Sequence, residues 1–285
     1  MSLQFSPIAI AEKAVHGAQF SAHRLDLIAL SGFIAPIMGF DHFRMSGPTF
    51  APHPHAGFSA VSYVFEDSAG GLRNRDSLGH DLVIEPGAMV WTQAASGVVH
   101  DELPASRGSE VHGLQLFVNL SRDHKNLAPK MLYAAAEDVP VVNGAGGTKI
   151  RVLSGRYQDV VGPINPAEPF EFLDVKLTHE GNFEIPRGRN VLFYILSGQV
   201  TIGSDDAEHS LGTHQAIAVR SSSEGAELRI STKEDAHLLV LCGVDPMEPV
   251  AVYGPFIMND QSGLQAAYSR YVAGEMGRLS QLASS

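Results

Sequence analysis

A pattern of strand and turn residues in the first half of the chain recurs in the second half. VSYVFEDSAGG (61–71) followed by EPGAMVW (85–91) resembles VLFYILSGQV (191–200) followed by LGTHQAIAV (211–219). Tyr63 and Tyr194 are 131 residues apart (194 minus 63), and Gly87 and Gly212 are 125 apart (212 minus 87). A repeat with so long a period is a whole domain. The pattern therefore predicts two domains of the same fold in tandem.

Short apolar segments bounded by Gly, Pro, Asp and Ser dominate the chain and predict an all-β fold of two β-barrels. Such segments include VSYVF (61–65), HGLQLFVNL (112–120), FEFLDVKL (170–177) and NVLFYIL (190–196). We predict a first domain over residues 1–142 and a second over 143–285, with the junction in the Gly-rich stretch near 143–148. A short C-terminal helix is predicted, capped by Asn259, Asp260 or Ser262, with Leu264, Ala267, Tyr268 and Tyr271 on its apolar face.

Charge and composition exclude several classes of protein. The formal net charge is −11 over 285 residues, and basic residues form only short clusters such as Arg187-Gly188-Arg189, so direct nucleic-acid binding is not expected. A single cysteine, Cys242, excludes an intramolecular disulfide. The sequence has no signal-peptide pattern and no apolar run approaching about 18 residues, so a cytoplasmic location without membrane contact is predicted.

Two pairs of metal-ligating residues have the spacing of one strand face. His53 and His55 lie in HPHAGF, and His100 and Glu102 lie in VVHDEL. Alternate residues of a strand point to the same side, so each pair directs two side chains one way. The 45 residues between the pairs (100 minus 55) are long enough for the second pair to fold back on the first. Three imidazoles and one carboxylate suit one divalent Fe, Mn, Ni, Cu or Zn ion and can leave positions open for substrate.

The repeat gives an internal comparison for this site. Counted from the nearer repeat anchor, the second-half counterparts of the four residues are Glu184, Pro186, Gly225 and Glu227. Only one of these, Glu227, has the residue type of its counterpart. A metal site is therefore predicted in the first half alone.

The chain resembles the pirin family, two-domain members of the cupin superfamily. The matching motifs are IMGFDHF (37–43), HPHAGF (53–58), RNRDSLG (73–79), EPGAMVW (85–91), GVVHDE (97–102), LQLFVNL (114–120) and VYGPFIMN (252–259). The resemblance implies two antiparallel cupin barrels of the jelly-roll type, with a metal, usually iron, in the N-terminal barrel and none in the C-terminal barrel. The family's metal ligands fall on His53, His55, His100 and Glu102 of this chain.

Two positions depart from the family pattern. Many pirins carry Arg after the paired histidines and Glu three residues further on, where this chain has Ala56 and Ser59. The wider cupin superfamily often uses a Glu at about the second position as a ligand. Glu102 is therefore the sole carboxylate candidate, and substrate or partner preferences of Arg-bearing relatives do not transfer directly.

The resemblance implies a metal-dependent dioxygenase that acts on a small aromatic substrate and O2, as in the cleavage of flavonols such as quercetin with release of carbon monoxide. Glu102 would then be a ligand and also the catalytic base that accepts the proton of the flavonol 3-hydroxyl. A second hypothesis is a non-enzymatic regulator that responds to the oxidation state of its metal through a protein partner, which the sequence does not identify. A third is a ligand-binding barrel around a closed structural zinc site.

Several neighbours of these motifs are predicted to be structural. Arg75 and Asp76 are expected to form a salt bridge that shapes a hairpin. Asp41 and Asp101 are conceivable hydrogen-bond partners for ligating histidines, although strand alternation points Asp101 away from His100. His42 is expected to pack among its neighbouring phenylalanines rather than to ligate.

Overall fold

A computed structural model of the chain describes residues 3–30, 32–204, 207–222 and 226–282. Within these residues it contains 26 strands and one α-helix, which confirms the predicted all-β fold with a short helix near its end. In the same ranges no helix is long and apolar enough to cross a membrane.

The strands of the first half are β1 (Leu3–Phe5), β2 (Ala9–His16), β3 (Phe20–Leu25), β4 (Ile37–Met45), β5 (His53–His55), β6 (Phe58–Val64), β7 (Leu72–Asp76), β8 (Asp81–Ile84), β9 (Met89–Gln93), β10 (Val98–Pro104), β11 (Val111–Asn119) and β12 (Lys130–Ala134). The strands of the second half are β13 (Val141–Asn143), β14 (Lys149–Ser154), β15 (Arg156–Tyr157), β16 (Val160–Val161), β17 (Phe170–Leu177), β18 (Glu180–Ile185), β19 (Arg189–Ser197), β20 (Gln199–Ser204), β21 (Ala207–Gly212), β22 (Gln215–Ser221), β23 (Ala226–Ser231), β24 (Ala236–Val244), β25 (Ala251–Tyr253) and β26 (Phe256–Met258). Helix α1 spans Gln261–Ala273, and short 3₁₀ turns occupy Ile28–Leu30, His124–Asn126, Ala136–Asp138 and Ala145–Gly147.

The chain divides into two compact units that are not consecutive stretches of sequence. The histidine unit, which contains His53, comprises Lys13–Ala22, Gly39–Ala136 and Pro246–Ser285. The cysteine unit, which contains Cys242, comprises Met1–Glu12, His23–Met38 and Glu137–Asp245. The limits 1–142 and 143–285 stay a prediction of domain boundaries. The residues of α1, predicted to accompany the second barrel, are grouped here with the histidine unit.

In the histidine unit, two antiparallel sheets carry the fold. One has the strand order β12-β9-β6-β11-β4, and the other has the order β5-β10-β7-β8. Every residue of β6 is buried, as expected for a strand that is covered on both faces. Between the sheets lies an apolar cluster that includes Phe43, Val64, Leu72, Ile84 and Val90.

In the cysteine unit, the strands follow an equivalent order. One sheet runs β22-β19-β24-β17-β14-β13, and the other runs β18-β23-β20-β21. The second order reproduces β5-β10-β7-β8 strand for strand, which is the structural form of the sequence repeat. The core of this unit is built largely from Val, Leu, Ile and Phe side chains, among them Phe193, Leu228 and Leu238.

The segment after residue 245 closes the histidine unit. The amide of Ile257 donates to the carbonyl of Ala56 at 3.0 Å, and the hydroxyl of Ser77 donates to the carbonyl of Met276 at 2.6 Å. Ala56, Phe256 and Leu264 belong to one buried apolar cluster. This packing explains why the helix is grouped with the first-half residues.

The structure confirms one of the predicted caps of helix α1 but only part of its predicted apolar face. Of the three proposed caps, Asp260 is the one used, and its carboxylate accepts from the amide of Gly263 at 2.8 Å. Leu264 and Ala267 are buried, but Tyr268 and Tyr271 are 53% and 38% exposed, so the predicted apolar face is too wide. Only the narrow stripe at i and i+3 is fully covered by the neighbouring strands.

Candidate metal centre

Strand pairing brings the three predicted histidines together. β5 and β10 are antiparallel, with His53 opposite His100 and His55 opposite Val98. His53 and His55 share a face because Pro54 separates them, and the pairing sets His100 beside them. The ring centroids are 4.8 Å apart for His53 and His55, 4.8 Å for His53 and His100, and 4.7 Å for His55 and His100. One ring nitrogen from each of the three residues lies within 4.8 Å of the others, a spacing that could hold a metal ion.

The ring nitrogens of this cluster lack the partners that buried polar atoms normally have. Nδ1 of His55 and both ring nitrogens of His100 make no hydrogen bond to any described residue. His53 is oriented by a contact of 2.9 Å from its Nδ1 to the carbonyl oxygen of Ala51, which leaves Nε2 for a ligand. Unpartnered nitrogens in such a cluster fit a metal, whose coordination would satisfy them.

The electrostatics of the site keep the imidazoles of His55 and His100 neutral. Burial, followed by the neighbouring His100 and His53, holds the pKa of His55 well below its ordinary value, although a hydrogen bond to the carbonyl of Pro255 opposes this. Burial and then His53 lower the pKa of His100 to about 3. A metal therefore competes with no proton at these nitrogens near neutral pH, since only the neutral imidazole binds metal.

Glu102 is held by two neutral donors beside the cluster. Because it follows His100 by two residues on β10, it faces the same side, and it lies opposite Asn74 of β7. Its Oε1 accepts from Nδ2 of Asn74 at 3.1 Å and also from the hydroxyl of Ser62. Burial raises the pKa of Glu102, whereas the hydrogen bonds from Ser62 and Asn74 and the nearby His53 lower it. The cluster of mutually close ligand atoms contains the three histidines only, so Glu102 as a fourth ligand stays a prediction.

Apolar rings form a wall next to the histidines. Phe58 and Phe117 lie 5.0 Å and 5.5 Å from the ring of His55, and 4.8 Å from each other, between ring centroids. Phe58 and Ser62 are on the same face of β6, because residues four apart on a strand point the same way. The polar cluster is therefore packed directly against apolar rings.

The two departures from the family pattern occupy defined places. Ala56 is fully buried in the apolar cluster with Phe256, so a long charged side chain there would have to displace that packing. Ser59 is also fully buried, and alternation along β6 places it on the face opposite Ser62, which contacts Glu102. In this chain, position 59 therefore does not face the imidazoles.

The salt bridge predicted between Arg75 and Asp76 is wrong. Arg75 instead pairs with Asp101, its opposite residue on β10, and both side chains are buried. Asp76 accepts from the amides of Leu78 and His80 at 2.9 and 3.0 Å and lies 2.7 Å from the His80 ring. Residues adjacent on a strand face opposite sides, which is why the cross-strand pairing prevails. Asp101 is thus structural and points away from His100.

Other predicted neighbours lie outside the three-histidine cluster. His42 is buried, its Nε2 is 2.6 Å from Nε2 of His112, and its ring meets Phe65 edge-on. In the cysteine unit, Glu184 and Glu227 face each other across β18 and β23 and are exposed, while Gly225 lies outside the described residues. Glu227 lies between the core residues Ala226 and Leu228, so its side chain points away from the core, unlike that of the buried His100.

Sequence reasoning missed the residues that support the site. Lys125 is 1% exposed, and its ammonium donates to the carbonyl of Gly57 at 2.7 Å, to the carbonyl of Ile257 at 2.9 Å and to Asn119 at 2.5 Å. These bonds tie the turn after His55 to the segment around β26. Asn74 lies in one of the motifs shared with the family. Nothing in the sequence marks Ser62 or Lys125 as site residues, because Ser62 contacts a residue 40 positions away and Lys125 contacts one 132 positions away.

Comparison with known proteins gives consistent matches along the chain. The sequence profile named Pirin matches residues 19–118, and the profile named Pirin C-terminal cupin domain matches residues 172–277. Pirin of Mus musculus is 34% identical over 235 residues, 81% of this chain and 79% of its own length. A Pseudomonas aeruginosa protein provisionally named quercetin 2,3-dioxygenase is 32% identical over 248 residues, 83% of this chain and 85% of its own.

Crystal structures of related folds extend the comparison. Quercetin 2,3-dioxygenase of Acinetobacter baumannii superposes with a TM-score of 0.84 at 26% identity, covering 98% of this chain and all of that one. A bacterial pirin of Escherichia coli, determined in complex with nickel(II), superposes with a TM-score of 0.65 at 20% identity, covering 86% of this chain and all of that one, which supports the fold alone.

Proposed function

Because this chain belongs to the pirin family of cupin proteins, we propose that it is a metal-dependent dioxygenase that cleaves flavonols such as quercetin with O2. The observation that carries the proposal is the cluster of His53, His55 and His100, whose buried ring nitrogens lack other partners. The named activities of the Pseudomonas and Acinetobacter proteins support the same reaction class.

We assign the ligand set to His53, His55, His100 and Glu102, with one divalent transition metal and iron as the first expectation. Manganese, nickel, copper and zinc suit the same donors. When bound there, the metal would act as a Lewis acid on the substrate's oxygens and as a template that brings substrate and O2 together.

Glu102 is proposed to hold the proton taken from the flavonol 3-hydroxyl. Hydrogen bonds from Ser62 and Asn74 to Oε1 fix the carboxyl group and leave Oε2 to meet the substrate. A carboxylate bound to a dication is a poor base, so Glu102 would accept the proton only when it does not coordinate the metal. Burial then favours the protonated carboxyl group, because desolvation penalises the charged form.

The walls of the site suit a flat aromatic substrate. Phe58 and Phe117 next to His55 supply apolar ring contacts, and Nε2 of Gln115, which has no hydrogen-bond partner among the described residues, could donate to a substrate oxygen. Gln115 lies close to this network, since its Oε1 is 3.2 Å from the hydroxyl of Ser62. Small aromatic molecules with O2 are therefore the proposed partners, and direct binding to nucleic acid is not expected.

The first test measures metal content and flavonol chemistry in the same proteins. Elemental analysis of untagged wild type is expected to give about one transition metal per chain, lost in His100→Ala and retained in His16→Ala, whose histidine is exposed. Anaerobic mixing of wild type with quercetin should shift the flavonol absorption toward the deprotonated form, and Glu102→Gln should abolish that shift. A fully metallated wild type that leaves the flavonol spectrum unchanged would overturn the dioxygenase proposal.

A second candidate is a metal-dependent regulator that acts through protein partners. Mouse pirin is as similar to this chain, at 34% identity, as the relative named for a dioxygenase, at 32%, so the similarity alone does not select the enzyme. A pull-down that returns different partners for the reduced and oxidised metal would support this function. Identical partners in both states, together with flavonol turnover, would contradict the regulator hypothesis and support the dioxygenase.

A further inference from the structure

The cysteine unit contains a cavity in the place that the metal site occupies in the histidine unit. Its volume is about 440 Å³, which lies in the range of small-molecule sites. Residues of β18 and β23 line it, and these strands are the counterparts of β5 and β10, which carry the three histidines. Equivalent strands thus carry the histidine cluster in one unit and line this cavity in the other.

The floor of the cavity is apolar and formed by rows across one sheet. Leu173, Val191 and Val240 line it and are buried, as is Phe183. Val240 lies opposite Leu173, and Cys242 lies opposite both Glu171 and Val191, so these side chains form two adjacent rows. Tyr157 stands next to Phe183 with 5.6 Å between ring centroids, which adds an aromatic wall.

The charges that line the cavity are mainly negative. Three carboxylates, those of Glu171, Glu184 and Glu227, line it together with one guanidinium, that of Arg156. Glu171 forms an ion pair with Arg189 at 2.5 Å. The other charged residues of the lining are Glu184, Glu227 and Arg156, so negative charge is in excess. Burial and the nearby Glu171 raise the pKa of the Cys242 thiol well above its ordinary value, against the effect of Arg189, so the thiol stays neutral.

We propose that this cavity is a second binding site, without metal, for a small organic cation that carries a flat apolar group. The apolar group would lie on Leu173, Val191 and Val240, and its face would meet the rings of Tyr157 and Phe183. The cationic group would lie at the mouth between Glu184 and Glu227, which are exposed and directly opposite each other. Two carboxylates attract an ammonium group by charge, and the aromatic wall contacts the apolar group beside it.

The test compares three probes of one shape on the full-length, zinc-loaded protein. 2-Phenylethylammonium, neutral 2-phenylethanol and anionic 3-phenylpropionate are titrated while the methyl NMR signals of Leu173, Val191 and Val240 are followed. We expect the ammonium probe to shift these signals with a Kd of about 1 mM or below, and the alcohol to bind at least about fivefold more weakly. The anion should not shift them.

Substitutions test whether Glu184 and Glu227 cause the preference for the ammonium probe. Glu184→Gln with Glu227→Gln should weaken the ammonium probe about fivefold to tenfold and change the alcohol less than about twofold, because two surface charges are removed. Glu180→Gln, an exposed carboxylate on the same strand that does not line the cavity, is the matched control and should change neither. Absence of shifts at the three methyl groups, equal binding of ammonium and alcohol, or an equal effect of Glu180→Gln would overturn the proposal.

Discussion

His100 is the most deeply buried imidazole of the cluster, with 1% of its surface exposed against 5% for His55. A buried neutral imidazole with two unpartnered nitrogens is costly unless something binds it, because buried polar groups need partners. His100 lies on β10, which pairs with β5 on one side and with β7 on the other, so both neighbouring strands fix its backbone position. The same burial that prepares it for a metal also makes the metal-free protein sensitive to acid.

We predict that His100 makes the metal-free protein lose stability as the pH falls. Its pKa is about 3 when folded against 6.5 ordinarily, so the unfolded chain binds the proton first. The stabilisation is complete above about pH 6.5 and is lost as the pH falls toward 3, by roughly 1 kcal/mol per pH unit. Between about pH 7 and pH 5, wild type should lose roughly 2 kcal/mol more than His100→Leu in denaturant unfolding.

His16→Leu is the control for this measurement, since an exposed histidine has no comparable burial. It should follow the wild-type pH dependence. Parallel pH profiles for wild type and His100→Leu would contradict the assignment of His100 as a buried neutral group.

At the scale of elements, the turn between β5 and β6 connects the strand that carries His53 and His55 to the next strand of the histidine unit. Gly57 has φ +86°, and a Cβ there would lie 1.9 Å from the carbonyl oxygen of Ile257. Lys125 holds the carbonyl oxygens of both Gly57 and Ile257. The turn therefore requires glycine both for its backbone conformation and for the close approach of another segment.

Gly57→Ala is expected to lower the free energy of unfolding by about 3 kcal/mol or more and to reduce metal occupancy, since Gly57 follows the proposed ligand His55 by two residues. Gly79→Ala is the matched control, because Gly79 has φ +98° and nothing within 4 Å of the added Cβ. That variant should cost only about 1 kcal/mol, the backbone component. Equal costs in chemical denaturation would show that the contact with Ile257 contributes nothing.

The elements were predictable where a local pattern determines them. Predicted segments such as FEFLDVKL coincide with strands, here β17, because alternation and bounding turn residues are local signals. The spacing of His53 and His55 predicted their common face for the same reason. The partners of Glu102, by contrast, are 28 and 40 residues away in sequence: Asn74 is set by the register of β7 with β10 and Ser62 by the packing of two sheets, which no local pattern specifies. Arg75 illustrates the same point, since its partner is set by pairing and not by adjacency.

At the scale of the whole molecule, the two units offer separate optical signals. Trp91, the one tryptophan of the chain, is 1% exposed on β9 in the histidine unit. Its fluorescence therefore reports the unfolding of that unit, whereas far-ultraviolet circular dichroism reports strands of both units. The proposed ligands belong to the histidine unit alone.

Removal of the metal is therefore expected to lower the midpoint of the Trp91 fluorescence transition while a part of the dichroism change keeps its midpoint. At a metal concentration about 100 times its Kd, the bound state gains roughly 3 kcal/mol, which corresponds to several degrees in Tm. The measurement is a thermal scan with and without chelator, with His100→Ala as the variant that should not respond. A uniform shift of both signals would mean that the units unfold as one.

The order in which a ribosome delivers these residues has a consequence for how the centre is filled. The carbonyl of Pro255, which contacts the His55 ring, is synthesised 155 residues after His100 (255 minus 100). The histidines thus leave the exit tunnel long before the segment that orients and covers them. Selective loading of the proposed ion would then follow translation of β26, because a nascent chain that stalls earlier would expose three uncovered imidazoles to whichever metal the cell holds in excess.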